Sequence, residues 1–394
     1  MDLTIYPSKL SGEIQAIPSK SQAHRLLICS AFSDGETLLE CPQTNEDIEA
    51  TARCLNALGA EILRTKSGYR VTPVDKLPET AIIDCGESGS TLRFLLPVVC
   101  ALGVQTTIQM HGRLPYRPLS PLWEELERMG ATLTRPTETT IQTSGKLRCG
   151  SFVISGNVSS QYISGLLFAT SLLPGDSAIE ITGALESKPY IDMTQLALKT
   201  FGVSTENFQI KGSYPFRSPG SLTVEGDWSN GAFFLAAKAL GNPVDVKNLN
   251  MDSPQGDRAV VDILSGGKSL QTVSAADIPD LVPILAATFG AKNGAVFTDI
   301  ARLRLKESDR VASVCDMLNR LGAEATATEN TMTVMPGHYH SCTIDAMGDH
   351  RIAMAAAIAA TVADGPVTIL GAECVAKSYP SFWEEYKKLG GRYE

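Results

Sequence analysis

Residues 18–35 read Pro-Ser-Lys-Ser-Gln-Ala-His-Arg-Leu-Leu-Ile-Cys-Ser-Ala-Phe-Ser-Asp-Gly. A small polar start and a cationic first turn lead into an apolar run that ends on glycine. This order predicts a helix that is buried along its body and keeps its N-terminus open to an anion. The design recurs in stretches 89–103, 160–175, 227–241, 280–290 and 349–365. Each stretch is too short to cross a bilayer and too apolar for a surface helix, so we predict six core helices.

A second, amphipathic helix type also recurs, and each copy is followed by a glycine, which is a C-cap signal. These glycines are Gly59, Gly130, Gly202, Gly266, Gly322 and Gly390, and they divide the chain into six units of about 65 residues. Short alternating strands follow most of them, for example at 140–143 and 331–334. Each unit therefore combines strands with one buried and one amphipathic helix, and three units per domain would bring the buried helices together.

Length and composition limit the classes of protein that the chain can belong to. A chain of 394 residues is long for one core and predicts two domains. The 34 basic and 43 acidic residues give a net charge of −9, which argues against nucleic acid as a partner. Nine cysteines without a C-x-x-C pair fit reduced thiols. The N-terminus has no basic region followed by an apolar stretch, so we expect no signal peptide, no membrane partner and a cytoplasmic location.

Basic residues concentrate at the loops and helix starts of these units. Guanidinium groups match carboxylate and phosphate oxygens in pairs, whereas lysine acts as a compact charge. So many cations predict substrates with several negative charges. If three buried helices of each domain aim their N-termini at a shared gap, the helix dipoles add to this attraction. The residues are Lys20, Arg25, Arg93, Arg117, Lys306, Arg310, Arg351 and Lys377.

Two carboxylates near these cations are candidate proton-transfer groups. Asp280 precedes the apolar run 281–285, and its position alone favours a helix N-cap, with a buried base as the alternative. Glu307 lies between Lys306 and Arg310, where a carboxyl group can exchange a proton beside bound anions. These residues belong to the charged run 302–310, and the alternative is that this run only forms a salt-bridged helix start. No metal site is predicted, because the isolated pair of histidines at 338 and 340 has no acidic or cysteine partner at ligand spacing.

Ten motifs, in order and over essentially the full chain, resemble those of the 5-enolpyruvylshikimate-3-phosphate (EPSP) synthase family, the 3-phosphoshikimate 1-carboxyvinyltransferases. The longest reads Asp-Cys-Gly-Glu-Ser-Gly-Ser-Thr-Leu-Arg at 84–93. The others are Pro-Ser-Lys-Ser at 18–21, Tyr-Arg-Pro-Leu at 116–119, Ser-Ser-Gln-Tyr-Ile-Ser-Gly at 159–165, Ser-Lys-Pro-Tyr at 187–190, Gly-Asp-Trp-Ser at 226–229, Asp-Ile-Pro-Asp at 277–280, Leu-Lys-Glu-Ser-Asp-Arg at 305–310, Gly-Asp-His-Arg at 348–351 and Ala-Lys-Ser-Tyr-Pro at 376–380.

This resemblance implies an α/β fold of two domains, each with three repeated βαβαββ units around buried parallel helices, like an inverse α/β barrel. It implies a discontinuous first domain of residues 1–17 plus 225–394, on the phosphoenolpyruvate side. The second domain would be residues 18–224, on the shikimate 3-phosphate side, with the active site in the cleft between them. The implied reaction transfers the enolpyruvyl group of phosphoenolpyruvate to the 5-hydroxyl of shikimate 3-phosphate and releases phosphate. No metal, coenzyme or macromolecular partner is implied, and we expect a monomer.

The resemblance also implies a role for each matching residue. Asp280 would accept the hydroxyl proton, and Glu307 together with Lys20 would protonate the methylene carbon; this division among the three is by analogy. The residues implied for shikimate 3-phosphate are Lys20, Ser21, Arg25, Ser159, Ser160, Gln161, Ser187, Tyr190, Asp280 and Lys306. Those implied for phosphoenolpyruvate are Lys20, Gly89, Arg117, Gln161, Arg310, Arg351 and Lys377.

Two alternatives remain at this point. The related UDP-N-acetylglucosamine enolpyruvyl transferases resemble this chain in repeat and mechanism, but they usually carry a cysteine shortly before an Arg-Pro pair. Residues 110–116 here contain none. The other alternative is a non-catalytic anion-binding protein of the same fold, which would have no need for Asp280 and Glu307 as proton-transfer groups.

Overall fold

The chain has two apolar cores, and they divide it into two units. In the computed structural model, which describes residues 1–212, 216–267 and 269–394, unit 1 is Met1–Ile17 with Glu225–Glu394, and unit 2 is Pro18–Val224. The core of unit 1 is built from residues of unit 1 only, and the same holds for unit 2. Each unit therefore has the hydrophobic interior of a separate domain.

Helices account for both repeated patterns of the sequence. The buried helices are α1 (Lys20–Ala31), α3 (Gly89–Leu102) and α5 (Ser160–Ser171) in unit 2, and α7 (Trp228–Ala239), α9 (Val282–Gly290) and α11 (His350–Ala360) in unit 1. They alternate along the chain with α2 (Glu46–Ala57), α4 (Leu122–Arg128), α6 (Lys188–Thr200), α8 (Val260–Ser265), α10 (Arg310–Leu321) and α12 (Phe382–Lys388). Short 3₁₀ turns lie at Leu114–Tyr116, Glu206–Phe208, Gly256–Ala259, Ala301–Leu305 and Ala372–Lys377.

The strands are short, like the alternating strands predicted after the capping glycines. They are β1 (Leu3–Tyr6), β2 (Gly12–Gln15), β3 (Thr37–Glu40), β4 (Glu61–Arg64), β5 (Gly68–Thr72), β6 (Thr80–Asp84), β7 (Gln105–Gln109), β8 (Ala131–Thr137), β9 (Thr140–Gly145), β10 (Ser151–Ser155), β11 (Ser177–Thr182), β12 (Gln209–Ile210), β13 (Ser221–Thr223), β14 (Val244–Lys247), β15 (Gln271–Ser274), β16 (Ala295–Thr298), β17 (Glu324–Ala327), β18 (Thr331–Met335), β19 (Cys342–Asp345), β20 (Val367–Leu370) and β21 (Arg392–Tyr393). The strands predicted at 140–143 and 331–334 are confirmed as β9 and β18.

The sheets repeat one topology. In unit 2, β6 and β7 are parallel, β9 is antiparallel to both β7 and β8, and the order is β6-β7-β9-β8. In unit 1, β15-β16-β18-β17 has the same order and directions. Together with their helices, these are complete βαβαββ units, so the predicted fold class is confirmed. Sheets within the described residues are open, and none closes into a barrel.

Two further sheets borrow a strand from a distant part of the chain. The order β19-β20-β1-β21 uses the N-terminal strand, and β13-β3-β5-β4 uses the last strand of unit 2. The remaining sheets, β10-β11-β12 and β14-β2, are smaller. The N-terminal strand β1 pairs with both β20 and β21, and this pairing joins the two chain segments that form unit 1.

Five of the six buried helices begin as predicted, and α3 and α9 also end at the predicted glycines, Gly103 and Gly290, whereas α1, α5 and α11 end several residues earlier than predicted. Side-chain caps at Ser19, Ser88, Ser159, Asp227 and Asp349 accept backbone N–H groups of the first turns of five of them. The sequence pattern placed the end of α1 at Gly35, but the helix stops at Ala31, because the Ser33 hydroxyl donates to the carbonyls of Ser30 and Gly35. Likewise α5 ends before Gly175 and α11 before Gly365.

The amphipathic helices confirm the glycine signal, with one exception. Gly322 ends α10 in the left-handed conformation, at φ 106°, which glycine adopts without steric cost. Gly266, after the weakest copy of the pattern, has φ −59° and ψ 160° instead. The helix before it, α8, has only six residues, and the chain continues from Gly266 in an extended conformation, so no left-handed turn is needed. No helix in the described part of the chain is long and apolar enough to span a membrane.

Candidate active site

Arg310 lies at the centre of the charged residues of unit 1. Its side chain is 1% exposed and donates to three carboxylates, with Nε 2.8 Å from Asp349, Nη1 2.7 Å from Asp280 and Nη2 2.7 Å from Glu307. Asp349 is fully buried and also caps α11 by accepting the backbone N–H of Arg351 at 3.0 Å. One guanidinium therefore fixes both candidate proton-transfer groups and the N-terminus of a buried helix.

Asp280 lies among three cations. Its Oδ2 accepts from Nη2 of Arg351 at 2.9 Å, its Oδ1 accepts from Arg310, and Nζ of Lys306 is 3.9 Å from Oδ1. Burial alone would raise the pKa of Asp280, but Arg351, Lys306 and Arg310 together hold it well below its usual range. The N-cap predicted by position is wrong: α9 begins at Val282 with Leu281 at its N-cap, which leaves the Asp280 carboxylate to the cations.

Lys306 and Glu307 follow a 3₁₀ turn rather than sitting within a helix. Burial lowers the pKa of Lys306 to about 8, against the opposing effect of Asp280 and with a further contribution from Arg310. Salt bridges do occur in this run, between Arg304 and Asp309 at 3.4 Å and between Arg310 and Glu307. The salt-bridged helix start is therefore confirmed, because Asp309 caps α10, while proton exchange by Glu307 stays a prediction.

Two more groups border this cluster. Lys377 donates to the carbonyl of Gly348 at 3.2 Å, directly before the cap of α11. Asp257 is 2% exposed and accepts from the Ser229 hydroxyl. Burial, followed by the charge of Asp280, raises the pKa of Asp257 to about 7. The predicted residues Asp280, Lys306, Glu307, Arg310 and Arg351 are therefore brought together in one cluster of unit 1, with Lys377 beside it.

In unit 2, Arg25 is buried and contacts Ser21 and Tyr190, which the resemblance assigned to the same substrate. Its Nη1 donates to the carbonyl of Ser21 at 2.6 Å, its Nη2 to the carbonyl of Tyr190 at 2.7 Å, and its Nε to Thr194 Oγ1 at 2.8 Å. Its guanidinium carbon also lies 5.0 Å from the centre of the Phe94 ring. Arg25 thus joins α1 to the first turn of α6.

Gly89, Arg117 and Gln161 form a second group of predicted residues in unit 2. A Cβ atom on Gly89 would lie 2.7 Å from Nη1 of Arg117 and 2.8 Å from Nη1 of Arg93, so two guanidinium groups pack against the bare first turn of α3. Arg93 donates to Oε1 of Gln161 at 2.8 Å, and Gln161 donates to Ser90 Oγ at 3.0 Å. Two cations and a helix N-terminus thereby surround one backbone position.

The remaining predicted residues of unit 2 lie at helix starts. Lys20 begins α1 and forms an ion pair with Asp47 at 2.8 Å. Ser159 caps α5, and Ser160 and Gln161 are its first residues. Ser187 precedes α6 with φ 54° and ψ 38°, which is uncommon for serine and often marks functional sites. Hydroxyl, amide and ammonium groups are suited to binding phosphate and carboxylate.

The sequence placed Arg93 among the anion-binding cations but assigned it to neither substrate, and it gave no site role to Asp47, Asp257 or Asp349. Arg93 and Asp349 lie inside recognised motifs, so their position next to Gly89 and Arg351 was the available signal. Asp47 and Asp257 had none, because their partners are distant in sequence. Within the described residues, no group of three His, Cys, Asp or Glu side chains is arranged to hold a metal ion.

Comparisons with known proteins agree over the full chain. The sequence model of the EPSP synthase (3-phosphoshikimate 1-carboxyvinyltransferase) family matches residues 5–266 and 263–386. The chain is 37% identical to the 3-phosphoshikimate 1-carboxyvinyltransferase of Clostridium beijerinckii, over 100% of this chain and 98% of the relative. It is 39% identical to the 3-phosphoshikimate 1-carboxyvinyltransferase of Clostridium acetobutylicum, over 98% of this chain and 97% of that relative. Its fold is similar to that of EPSP synthase from Acinetobacter baumannii, with a TM-score of 0.81 and 24% sequence identity. The similarity covers 100% of this chain and 99% of the Acinetobacter chain.

Proposed function

The chain belongs to the EPSP synthase (3-phosphoshikimate 1-carboxyvinyltransferase) family, and from this premise we propose that it transfers the enolpyruvyl group of phosphoenolpyruvate to the 5-hydroxyl of shikimate 3-phosphate. The observation that carries the proposal is the cluster around Asp280: three cations that can hold phosphate and carboxylate groups lie at this carboxylate, and one of them, Arg310, also pairs with Glu307. Such a cluster combines acid–base chemistry with anion binding.

The binding roles follow the two groups of residues. In unit 2, Ser21 and Arg25 hold the carboxylate side of shikimate 3-phosphate, while three serines bind its phosphate; these are Ser159, Ser160 and Ser187. Gln161, Tyr190 and Lys306 complete the residues assigned to this substrate. The residues that we assign to phosphoenolpyruvate are Lys20, Arg117 and the backbone at Gly89 in unit 2, and Arg310, Arg351 and Lys377 in unit 1.

In the first chemical step, the 5-hydroxyl oxygen bonds to C2 of phosphoenolpyruvate and its proton passes to Asp280. Glu307, together with Lys20, protonates the methylene carbon, which gives a tetrahedral intermediate. The methyl group formed in this way then loses a proton, the bond between C2 and the phosphate oxygen breaks, and the carbon–carbon double bond re-forms as phosphate leaves. The arginines stabilise the negative charge on the phosphate and carboxylate groups through these steps.

The charges around Asp280 suit a base that becomes active only with substrate. A carboxylate whose pKa lies far below 7 is a weak base. Substrate anions bound to Arg351 and Arg310 would offset part of the cations' charge, so the pKa of Asp280 would rise toward the working range when phosphoenolpyruvate binds.

We further propose that the protein acts as a monomer in the cytoplasm. All nine cysteines are free thiols, and most are buried, which suits a reducing compartment. Light scattering on the purified protein tests the oligomeric state.

Phosphate release tests the proposed function directly. We expect phosphate when phosphoenolpyruvate is supplied with shikimate 3-phosphate, and none when UDP-N-acetylglucosamine replaces the acceptor. Phosphate release with UDP-N-acetylglucosamine as the acceptor, but not with shikimate 3-phosphate, would assign the chain to the UDP-N-acetylglucosamine enolpyruvyl transferases. Binding of shikimate 3-phosphate without any turnover would support the non-catalytic alternative.

A further inference from the structure

A chain of buried hydrogen bonds runs through unit 2 behind its anion-binding residues. Nδ1 of His24 is 2.7 Å from Thr51 Oγ1, which is 2.7 Å from Thr91 Oγ1, and Thr91 donates to Ser88 Oγ at 2.8 Å. The side chains of all four residues are fully or almost fully buried. The chain joins α1, α2 and the start of α3.

The direction of these hydrogen bonds follows from counting protons. Ser88 Oγ caps α3 by accepting the backbone N–H of Thr91, and it also accepts the Thr91 hydroxyl proton. Because Thr91 has only one hydroxyl proton, its oxygen accepts from Thr51, and Thr51 in turn accepts from the imidazole. His24 therefore carries its proton on Nδ1, and Nε2 is an unprotonated nitrogen in a buried position with no hydrogen-bond partner among the described residues.

The surroundings of His24 agree with a neutral ring. Burial, with the charges of Lys20 and Arg25, lowers the pKa of His24 well below its usual value. The edge of the imidazole faces the Phe94 ring, with the ring centres 6.4 Å apart and the planes at 86°. An imidazolium in this position would have a second N–H with no acceptor, so the neutral form with the proton on Nδ1 is the stable one.

The far end of the chain reaches the proposed phosphoenolpyruvate groups in two ways. Ser88 is the cap immediately before Gly89, where the guanidinium groups of Arg93 and Arg117 pack. The Thr91 hydroxyl also lies 3.4 Å from the backbone carbonyl of Asp47, whose carboxylate pairs with Lys20. A shift of Thr91 would therefore move both the start of α3 and the partner of Lys20.

We propose that His24, Thr51 and Thr91 form a positioning relay for phosphoenolpyruvate, in which neutral His24 fixes the hydroxyl orientations that hold Gly89 and Lys20 in place. None of the three needs to touch substrate. The role in binding phosphoenolpyruvate rests on the proposed function, whereas the neutral state of His24 does not depend on it.

The kinetic test removes one hydroxyl from the middle of the relay. Thr51→Val has nearly the same shape as threonine but leaves the Nδ1–H of His24 and the oxygen of Thr91 without their partner, so we expect the KM for phosphoenolpyruvate to rise about 10-fold. The Kd for shikimate 3-phosphate, measured by calorimetry, should change less than about 2-fold. Thr51→Ser, which restores the hydroxyl, should return the KM to the wild-type value.

The matched control is Thr170→Val. Thr170 is also fully buried in a helix, but its hydroxyl donates only to the carbonyls of Leu166 and Leu167 of its own helix. This variant should lose stability without a change in the KM for phosphoenolpyruvate. The proposal is overturned if folded Thr51→Val keeps the wild-type KM, or if it weakens the binding of both substrates equally.

A second measurement addresses His24 itself and needs no turnover. Nitrogen-15 NMR of the imidazoles at pH 7, with the His24 signals assigned by their loss in His24→Asn, should show a neutral ring protonated at Nδ1. A ring protonated at Nε2, or a charged ring, would disprove the relay. If the enzyme proved to use another acceptor, this result would be unaffected, so the two failures can be told apart. His24→Asn, whose amide can donate to Thr51, should keep a lower KM than His24→Leu.

Discussion

Asp280 lies one residue before the N-cap of α9 and binds Arg351 through one carboxylate oxygen and Arg310 through the other. Its neighbours in sequence are those of an ordinary helix start, and only its neighbours in space give it a low pKa. Arg310 and Arg351 come from the starts of two other helices. At the scale of single residues, the tertiary contacts therefore decide which carboxylate is held ionised.

Glu307 is the first residue whose role can be tested. Glu307→Gln keeps the size of the side chain and a hydrogen-bond acceptor for Arg310, but it cannot give a proton to the methylene carbon. We expect turnover to fall by about 100-fold or more, with shikimate 3-phosphate binding largely intact, in steady-state kinetics and calorimetry. Turnover close to wild type would remove Glu307 from the proposed mechanism.

Gly89 tests the packing of the two guanidinium groups. The Cβ atom of Gly89→Ala would lie within 3 Å of both Arg93 and Arg117, so these side chains must shift. We expect the KM for phosphoenolpyruvate to rise by about 10-fold or more, because small displacements of positioning groups are costly. The matched control is Gly183→Ala, where nothing lies within 4 Å of the added Cβ, so only backbone strain is introduced. Equal KM values in the two variants would contradict the prediction.

The proposed contact of Lys306 with shikimate 3-phosphate predicts that binding of this substrate depends on pH. Its pKa of about 8 in the folded protein means that the ammonium is charged below this pH and neutral above it. The substrate phosphate is fully ionised above about pH 7, so affinity should fall between pH 7 and pH 9 as the cation is lost, by up to about 10-fold. Lys306→Arg, which stays charged, should bind with the same Kd across this range in calorimetry. A parallel fall in this variant would show that another group titrates.

At the scale of elements, Asp349 does more than cap α11. The carboxylate caps the helix and also compensates the buried Arg310, with the Ser308 hydroxyl as a third donor. Burial opposes the charge, but Arg310 holds the pKa of Asp349 below its usual value. The stability from this pair is therefore present above the unfolded pKa, about 4, and is lost as the pH falls through the lower folded pKa.

Asp349→Asn separates these roles, because asparagine caps helices as well as aspartate does. We expect a loss of about 3 kcal/mol in the free energy of unfolding at pH 7, since a buried arginine loses a charged partner. Asp309→Asn is the control: Asp309 caps α10, but its side chain is 43% exposed. Chemical denaturation should show a loss of less than about 1 kcal/mol in that variant. Similar losses in both would mean that the charge of Asp349 contributes little.

At the scale of the whole molecule, the repeated units are formed by segments that are local in sequence, but two of their sheets also include a strand from a distant part of the chain. The final strand of unit 2, β13, pairs in parallel with β3, with Ser221 opposite Leu38 and Thr223 opposite Glu40. Unit 2 is one continuous segment with a core formed only by its own residues. These features predict that unit 2 is able to fold alone.

We expect the fragment Pro18–Val224 to unfold cooperatively in urea and to bind shikimate 3-phosphate weakly without releasing phosphate from phosphoenolpyruvate. The matched control is the fragment 18–220, which lacks β13 and leaves one edge of β3 unpaired. This shorter fragment should unfold at a lower urea concentration, as monitored by circular dichroism. A longer fragment without a cooperative transition would show that unit 2 depends on unit 1.

The sequence by itself determined the repeat, the buried and amphipathic helices, the strands after the capping glycines and the cations at the helix starts. These features depend on hydrophobic period and on caps within a few residues, which are local properties. The end of α1 was not predictable, because Ser33 closes the helix before the expected glycine. The ion pairs of Asp280 with Arg310 and Arg351 and the buried chain from His24 to Ser88 were decided only by the tertiary structure. A pKa or a hydroxyl orientation depends on charges and hydrogen-bond partners that folding brings from 27 to 71 positions away, and no local pattern contains them.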